Sequence, residues 1–259
     1  MRDVLTVVKV GGSAITDKSK PYTLRENNLE ILSEKVARIL SRGVKVVLIH
    51  GGGSFGHPTA AKYGLSAGGI SREKAFGFAE TRYWMSYLNL RVVEKLLSKG
   101  VPAVGLQTSA LAYNENGVMK QIDTEIIQMF IDRLTVPVLY GDAVVDTIRG
   151  VSILSGDDMA AHIAITLRAQ SLVFLMGSGG VYDRPPNHPG AKLLYEISPN
   201  LPLVLIDESG VDVTGGLQHK LECAFRAARE GIRVAIGGIN FLEEMVFGLE
   251  APYTRVTIS

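Results

Sequence analysis

His50-Gly51-Gly52-Gly53-Ser54-Phe55-Gly56-His57 puts four glycines and two histidines into eight residues, directly after the apolar run Val44-Lys45-Val46-Val47-Leu48-Ile49. A strand running into such a turn reads as an anion cradle. Glycine lets the backbone take left-handed dihedrals and come close to a ligand, so that several N–H groups converge on phosphate oxygens. Gly11-Gly12-Ser13, after the β-branched run Val4–Val10, repeats the pattern. Runs of this kind mark parallel strands buried on both faces. Two cradles at the ends of two early strands place two phosphates across one sheet.

Between the two strands, Thr23 and Glu26 have the spacing of a capping box, and Leu29, Leu32, Val36 and Ile39 recur at helical spacing up to Gly43, completing a βαβ unit. After His57, Pro58 and a glycine-containing segment to Gly69 read as a loop with a short helix. A helix over Ser71–Leu97, ending at Gly100, carries Phe76, Phe78, Tyr83, Trp84, Met85, Tyr87 and Leu88. That density reads as core packing or a subunit interface, or as one wall of an apolar pocket. Strand Val101–Leu106, a hairpin over Leu111–Met119 with an Asn116-Gly117 turn, helix Thr124–Arg133, strand Val136–Tyr140 and a turn at Asp146–Gly150 follow. Ser155-Gly156-Asp157-Asp158 opens a helix through Leu167. Strand Ser171–Met176 then leads to a third glycine loop, Gly177-Ser178-Gly179-Gly180, and Arg184–Gly190 reads as surface loop. Asp212–Gly216 precede a helix over Leu217–Glu230, and strands Val234–Ile236 and Tyr253–Ile258 finish the sheet. The expectation is one α/β domain over residues 1–259, with an acceptor half to about residue 155 and a nucleotide half from about 156.

Composition narrows the function. With 259 residues, 46% hydrophobic and 20% charged, the chain can bury a sizeable core. A formal net charge of +1 argues against a general nucleic-acid or membrane-surface binder, so an anion site must be local. Cys223 is the single cysteine, and no Cys/His cluster has zinc-ligand spacing, which favours a reducing, cytoplasmic setting and leaves no residue assigned to a protein-bound metal. The N-terminus lacks the apolar core of a signal peptide, and no run approaches the ~18 apolar residues of a membrane span.

Gly51, Gly53 and Gly56 also satisfy G-x-G-x-x-G, but the next candidate strand ends in Gly105-Leu106-Gln107 without the acid a dinucleotide site requires. No Gly-Lys-Ser/Thr occurs, so a Walker A loop is absent. Isolated lysines beside glycine turns fit phosphoryl transfer, which needs cations and N–H dipoles on the equatorial oxygens. Lys9 precedes the first turn, Lys18 follows it, and Lys220 is expected on the first turn of the last long helix. Lys9 stands in an apolar strand, where burial without an anion would cost several kcal/mol; an edge position is the other way out. One carboxylate of Asp157-Asp158 can orient two lysines and the other can cap the helix, although capping alone would account for both. Mg²⁺ often arrives on ATP with its waters, so no direct ligand is required. His57 can donate to a phosphate oxygen, whereas His50 reads as a structural hydrogen-bonding residue.

Lys9-Val10-Gly11-Gly12-Ser13, Thr16-Asp17-Lys18, the His50–His57 block, Tyr140-Gly141-Asp142, Ser155–Asp158 and Asp212–Gly216 with Lys220 together resemble the amino acid kinase superfamily. The block ending in Ser54-Phe55-Gly56-His57 is most similar to isopentenyl phosphate kinases within it. The resemblance implies an open three-layer αβα sandwich with a mainly parallel central sheet, a homodimer, and transfer of the ATP γ-phosphoryl group to isopentenyl phosphate in isoprenoid biosynthesis, the mevalonate pathway. It also implies roles by position. Lys9 and Gly11-Gly12-Ser13 would hold ATP phosphates, Lys18 would stabilise the transferring group, and His57 with Gly52 would bind the acceptor phosphate. Gly53 would sit between the phosphates, Gly156 would contact the acceptor, Asp157 would organise the lysines, and Gly177, Gly215 and Lys220 would face the nucleotide. One departure is Met176-Gly177-Ser178-Gly179-Gly180-Val181-Tyr182, which lacks both acids of the Thr-Asp-x-Asp-Gly loop usual in relatives. Two other readings stand beside this one: a superfamily kinase for another phosphate, phosphonate or carboxylate acceptor, with Arg72 or Arg82 meeting a carboxylate, and a non-catalytic nucleotide-binding protein.

Overall fold

The apolar run after the N-terminus forms a strand in the middle of a large sheet. The computed structural model describes residues 4–200 and 214–258. Its strands are β1 Leu5–Val10, β2 Lys45–His50, β3 Ala103–Gly105, β4 Ala112–Glu115, β5 Val118–Ile122, β6 Val136–Tyr140, β7 Asp142–Asp146, β8 Gly150–Leu154, β9 Ser171–Leu175, β10 Glu196–Ile197, β11 Arg233–Gly237 and β12 Thr254–Val256. The helices are α1 Gly12–Ile15, α2 Glu26–Ser41, α3 Gly53–Lys62, α4 Arg72–Ser98, α5 Thr108–Leu111, α6 Thr124–Asp132, α7 Gly156–Thr166, α8 Thr214–Arg229 and α9 Leu242–Phe247. An eight-stranded sheet has the order β10-β12-β11-β9-β1-β2-β6-β3 and is parallel except at the β11–β12 pair.

Alternation along each strand builds three layers. Val7, Ile49, Leu172 and Phe174 face α6, α7 and α8, while Val8, Val10, Leu48 and Val173 face α2, α4 and α9. Leu29, Leu32, Val36 and Ile39 of α2 are at most 1% exposed, and each contributes ~1.5–3 kcal/mol of transfer free energy. Lys9 shares its parity with Val7. It therefore emerges on the α7–α8 side, which decides its partners.

Two local expectations are corrected and a third is extended. Thr23 does not cap α2: Thr16 and Leu24 form a bridge that keeps the chain extended, Thr23 Oγ1 donates to Pro21 O, and the helix starts at Glu26 with no side-chain cap. Pro58 lies inside α3 rather than in a loop. A helical proline orphans the carbonyl four residues back; here Ser54 O accepts from Tyr22 N at 3.1 Å instead. The hairpin of β4 and β5 is half of a separate sheet ordered β5-β4-β7-β8. The Asn116-Gly117 turn has φ of 53° and 83°, as the tight hairpin requires. Asp146 Oδ1 and Oδ2 accept from the backbone N–H groups of Asn116, Gly117, Ile148 and Arg149 and from Ser152 Oγ, at 2.7–3.0 Å. Burial would raise its pKa, but these donors outweigh it and hold the carboxylate far below its ordinary range.

Candidate active site

The C-terminal ends of β9, β1, β2 and β6 lie side by side, and the first N–H after each strand continues the ladder. Gly11 N donates to Leu175 O (2.8 Å), Gly51 N to Val10 O (2.9 Å) and Gly141 N to His50 O (2.9 Å). The Gly11–Ser13 and Gly51–Gly53 turns then touch backbone to backbone. A Cβ on Gly12 would stand 2.3 Å from Gly53 N, and one on Gly53, whose φ is +48°, would stand 2.0 Å from Thr16 Oγ1. Thr16 ties the turns together: its Oγ1 donates to Gly12 O (2.8 Å) and accepts from Ser54 N (3.0 Å).

Beneath the second turn, His50 is fully buried between Asn89 and Gly51. Asn89 Nδ2 donates to Val138 O and to His50 Nε2, each at 3.2 Å, which leaves the proton on Nδ1 to be donated to Gly51 O at 3.2 Å. Burial lowers its pKa to about 4, the neighbouring Lys9 charge acting in the same direction. His50 is thus a neutral strut for the turn.

On the α7–α8 face, Lys9 Nζ and Lys220 Nζ each lie 2.8 Å from the same atom, Asp157 Oδ1. All three side chains are at most 10% exposed. Burial alone would raise the Asp157 pKa, but Lys9 and Lys220 outweigh it and keep the carboxylate ionised. Burial, then repulsion from Lys9, lowers the Lys220 pKa to about 8. Its Nζ also lies 5.1 Å from the centroid of the Phe174 ring. Ser155 Oγ accepts from Asp157 N at 3.2 Å and caps α7, so Asp157 is free to serve the lysines. Because α8 extends back to Thr214, Lys220 stands in its second turn, not its first.

These groups open onto a cavity of about 570 Å³. Its lining includes Lys9, Gly11, Gly12, Ser13, Gly177 and Lys220 together with Gly52, His57, Met85 and Ile153, and Lys18 and Gly156. Lys18 and His57 are exposed residues at the mouth. A Cβ on Gly156 would meet Lys9 Cε at 3.4 Å, and one on Gly177 would meet Ser13 O at 3.3 Å. Gly53 lies in the contact between the turns rather than in the lining, and Gly215 is placed only as part of α8. Asp212 and Val213 lie outside the described residues. The aromatic residues of α4 do not wall the cavity; Thr81 and Met85 do, while Phe76 and Tyr83 are more than 60% exposed. Trp84 instead stacks on Tyr22 at 3.8 Å.

Sequence reasoning missed Asn89, whose partners are remote in sequence, and the β7–β8 strands that bring Ala143, Ile153 and Leu154 to the cavity. It also missed a juxtaposition that corrects the expectation of no metal-ligand cluster: Asp158, His219 and Cys223 place ligand atoms within 4.8 Å of one another. Burial, then the Asp158 charge, pushes the Cys223 thiol up to about 12.

Residues 4–238 match the amino acid kinase family. The chain belongs to this family. Among characterised amino acid kinases, it is 33% identical to an isopentenyl phosphate kinase of Methanothermobacter thermautotrophicus, with 98% of this chain and 99% of that protein covered. An isopentenyl phosphate kinase of Arabidopsis thaliana is 31% identical, with 91% and 87% covered. A crystal structure of isopentenyl phosphate kinase superposes with a TM-score of 0.84 at 30% identity, covering 98% of this chain and all of that one. The Giardia lamblia carbamate kinase bound to AMP-PNP (TM-score 0.72, 16% identity) shares the fold of this amino acid kinase. No helix among the described residues is long and apolar enough to cross a membrane.

Proposed function

We propose that this amino acid kinase transfers the γ-phosphoryl group of ATP to isopentenyl phosphate, giving isopentenyl diphosphate and ADP. The observation that carries the reading is the backbone contact between the Gly11–Ser13 and Gly51–Gly53 turns, with His57 at the mouth beyond the second. Two phosphates seated on these turns would meet end to end. An acceptor phosphate oxygen attacks Pγ, the bond from Pγ to the β,γ-bridging oxygen breaks, and ADP leaves with that electron pair. The nucleophile is already anionic near neutral pH, so no general base is needed; the task is charge compensation. Lys9 and Lys220, aligned by Asp157, with Ser13, Gly177 and Gly215, would take the donor phosphates. Lys18 would follow the moving phosphoryl group, and His57, Gly52 and Gly156 would hold the acceptor. The apolar side chains of Met85, Ala143 and Ile153 suit a short hydrocarbon tail.

Mg²⁺ would travel with the nucleotide. Asp142 and Asp157 are the carboxylates among the lining residues described; Asp157 is engaged by two lysines and Asp142 is 2% exposed. That leaves the metal to phosphate and water ligands. We also propose a homodimer in the cytoplasm; light scattering in solution tests the assembly. A carboxylate acceptor is less well supported, since neither Arg72 nor Arg82 lines the cavity. ADP release measured over a panel of phosphate, phosphonate and carboxylate acceptors tests the assignment. Turnover of isopentenyl phosphate that falls at least ~100-fold in His57→Ala is expected. Turnover of another acceptor alone would reject the substrate, and ATP binding without any turnover would favour a non-catalytic role.

A further inference from the structure

We propose that Asp158, His219 and Cys223 form a binding site for a zinc-class divalent cation that fastens α7 to α8 beside the lysine pair. His219 and Cys223 are one helical turn apart on α8, and Asp158 reaches them from the first turn of α7. The separations are 2.7 Å for His219 Nε2 to Asp158 Oδ2, 3.5 Å for Cys223 Sγ to Asp158 Oδ1 and 3.8 Å for Cys223 Sγ to His219 Nε2. Tetrahedral zinc with ordinary bond lengths spaces such donors by about 3.4–3.6 Å. Both sulfur distances already match within a few tenths of an ångström, and the carboxylate need only turn away from the imidazole to admit the ion.

The surroundings suit a cation. A thiolate, an imidazole and a carboxylate are the mixed soft and borderline set that selects zinc over magnesium or calcium, and thiolate plus carboxylate neutralise its charge. On binding, Cys223 releases its thiol proton to solvent while His219 binds as neutral imidazole. Glu222 Oε2 lies 4.0 Å from His219 Nδ1, on the side opposite Asp158, where a carboxylate orients a metal-bound imidazole. The competing charge is Arg226, whose Nη2 is 3.5 Å from Asp158 Oδ1 and 3.9 Å from Cys223 Sγ. Its side chain is half exposed and can withdraw into solvent. A nucleophilic role for the thiol does not fit, because Cys223 is 2% exposed and none of the three residues lines the cavity. Asp158 follows Asp157 and His219 precedes Lys220, so an ion here would fix the helix pair carrying both without touching the cavity.

Titration of the full-length protein with Co²⁺, without nucleotide, tests the site. One equivalent per chain should produce a thiolate-to-cobalt charge-transfer band that Zn²⁺ then removes. Cys223→Ser should abolish the band, and His219→Gln should weaken binding by more than the ~10–100-fold that loss of an outer partner costs. Arg226→Ala should bind more tightly than wild type. His219→Gln and Arg226→Ala change partly exposed residues, so they test the site even where Cys223→Ser does not fold. Folded wild-type protein without a band, a band that survives in folded Cys223→Ser, or no gain in Arg226→Ala would each overturn the assignment. The titration reads metal binding alone, so its failure would leave the proposed phosphoryl transfer standing.

Discussion

Replacing Asp157 by asparagine keeps the side chain's shape and removes the anion between two buried cations. Lys9 and Lys220 each sit 2.8 Å from Asp157 Oδ1, so their nitrogens are no more than twice that apart. With 9% and 8% side-chain exposure, neither ammonium has water to replace the lost charge. Breaking a buried ion pair from one side costs ~3–5 kcal/mol. For a chain of this size each kcal/mol is worth ~2–4 °C, so the midpoint of ligand-free Asp157→Asn should fall by roughly 10 °C. Lys220, already lowered to about 8 with Asp157 beside it, loses its proton at lower pH once that charge is gone and so relieves part of the repulsion; the deficit should shrink as pH rises toward about 8 and level off above it. ATP should stabilise the variant more than the wild type, because its phosphates supply the missing charge, while kcat falls ~100-fold through loss of lysine alignment. Thermal melts with and without ATP, at several pH values, read the stability changes, and coupled ADP release reads kcat. A ligand-free midpoint within ~2 °C of wild type would refute the reasoning.

Lys220 is charged below about pH 8 in the free protein, so kcat/KM for ATP should decline above that value. Bound phosphate favours the ammonium, which places the corresponding limb of kcat at higher pH; a profile flat well beyond pH 8 would exclude Lys220 from donor binding. His50 has a folded pKa of about 4 against an ordinary 6.5, so the unfolded chain takes up the proton first and stability falls as pH drops through that window. The difference is ~3 kcal/mol, to be read as the urea stability of wild type minus His50→Gln across the window. Gly12→Ala would force the two turns apart and should cost at least ~100-fold in kcat/KM with the fold retained, measured by coupled ADP release.

The local signals in the sequence were strong where strands ran into glycine turns. Buried β-branched runs located β1, β2, β6 and β9, and Ser71 caps α4 by accepting from Lys74 N at 3.1 Å. The partnership of Lys9 and Asp157 was also legible, because a lysine in an apolar strand needs either an anion or an edge position, and β1 is a central strand. What stayed hidden depends on contacts across the chain. Pro58 reads as a helix breaker unless Tyr22 is known to satisfy Ser54 O. The β7–β8 strands are short, β7 begins and ends in an aspartate, and they hold together through Asp146, whose donors span residues 116–152. The Asp158–His219–Cys223 group escapes spacing rules since its members come from two helices 61 residues apart at the imidazole–carboxylate contact.

The Gly12–Gly53 contact separates two design variables that many transferases tie together. In the proposed reaction, spacing between donor and acceptor is set by main chain against main chain, with no room for a Cβ at Gly12 or Gly53. Acceptor shape would be set by Ala60, Thr81, Met85 and Ile153, which also line the cavity. Under that reading, mutational drift at those four positions would explore bulkier or more polar tails while the reacting atoms keep their distance, and new acceptors would be reachable by small steps. Drift at the glycines has no such graded path.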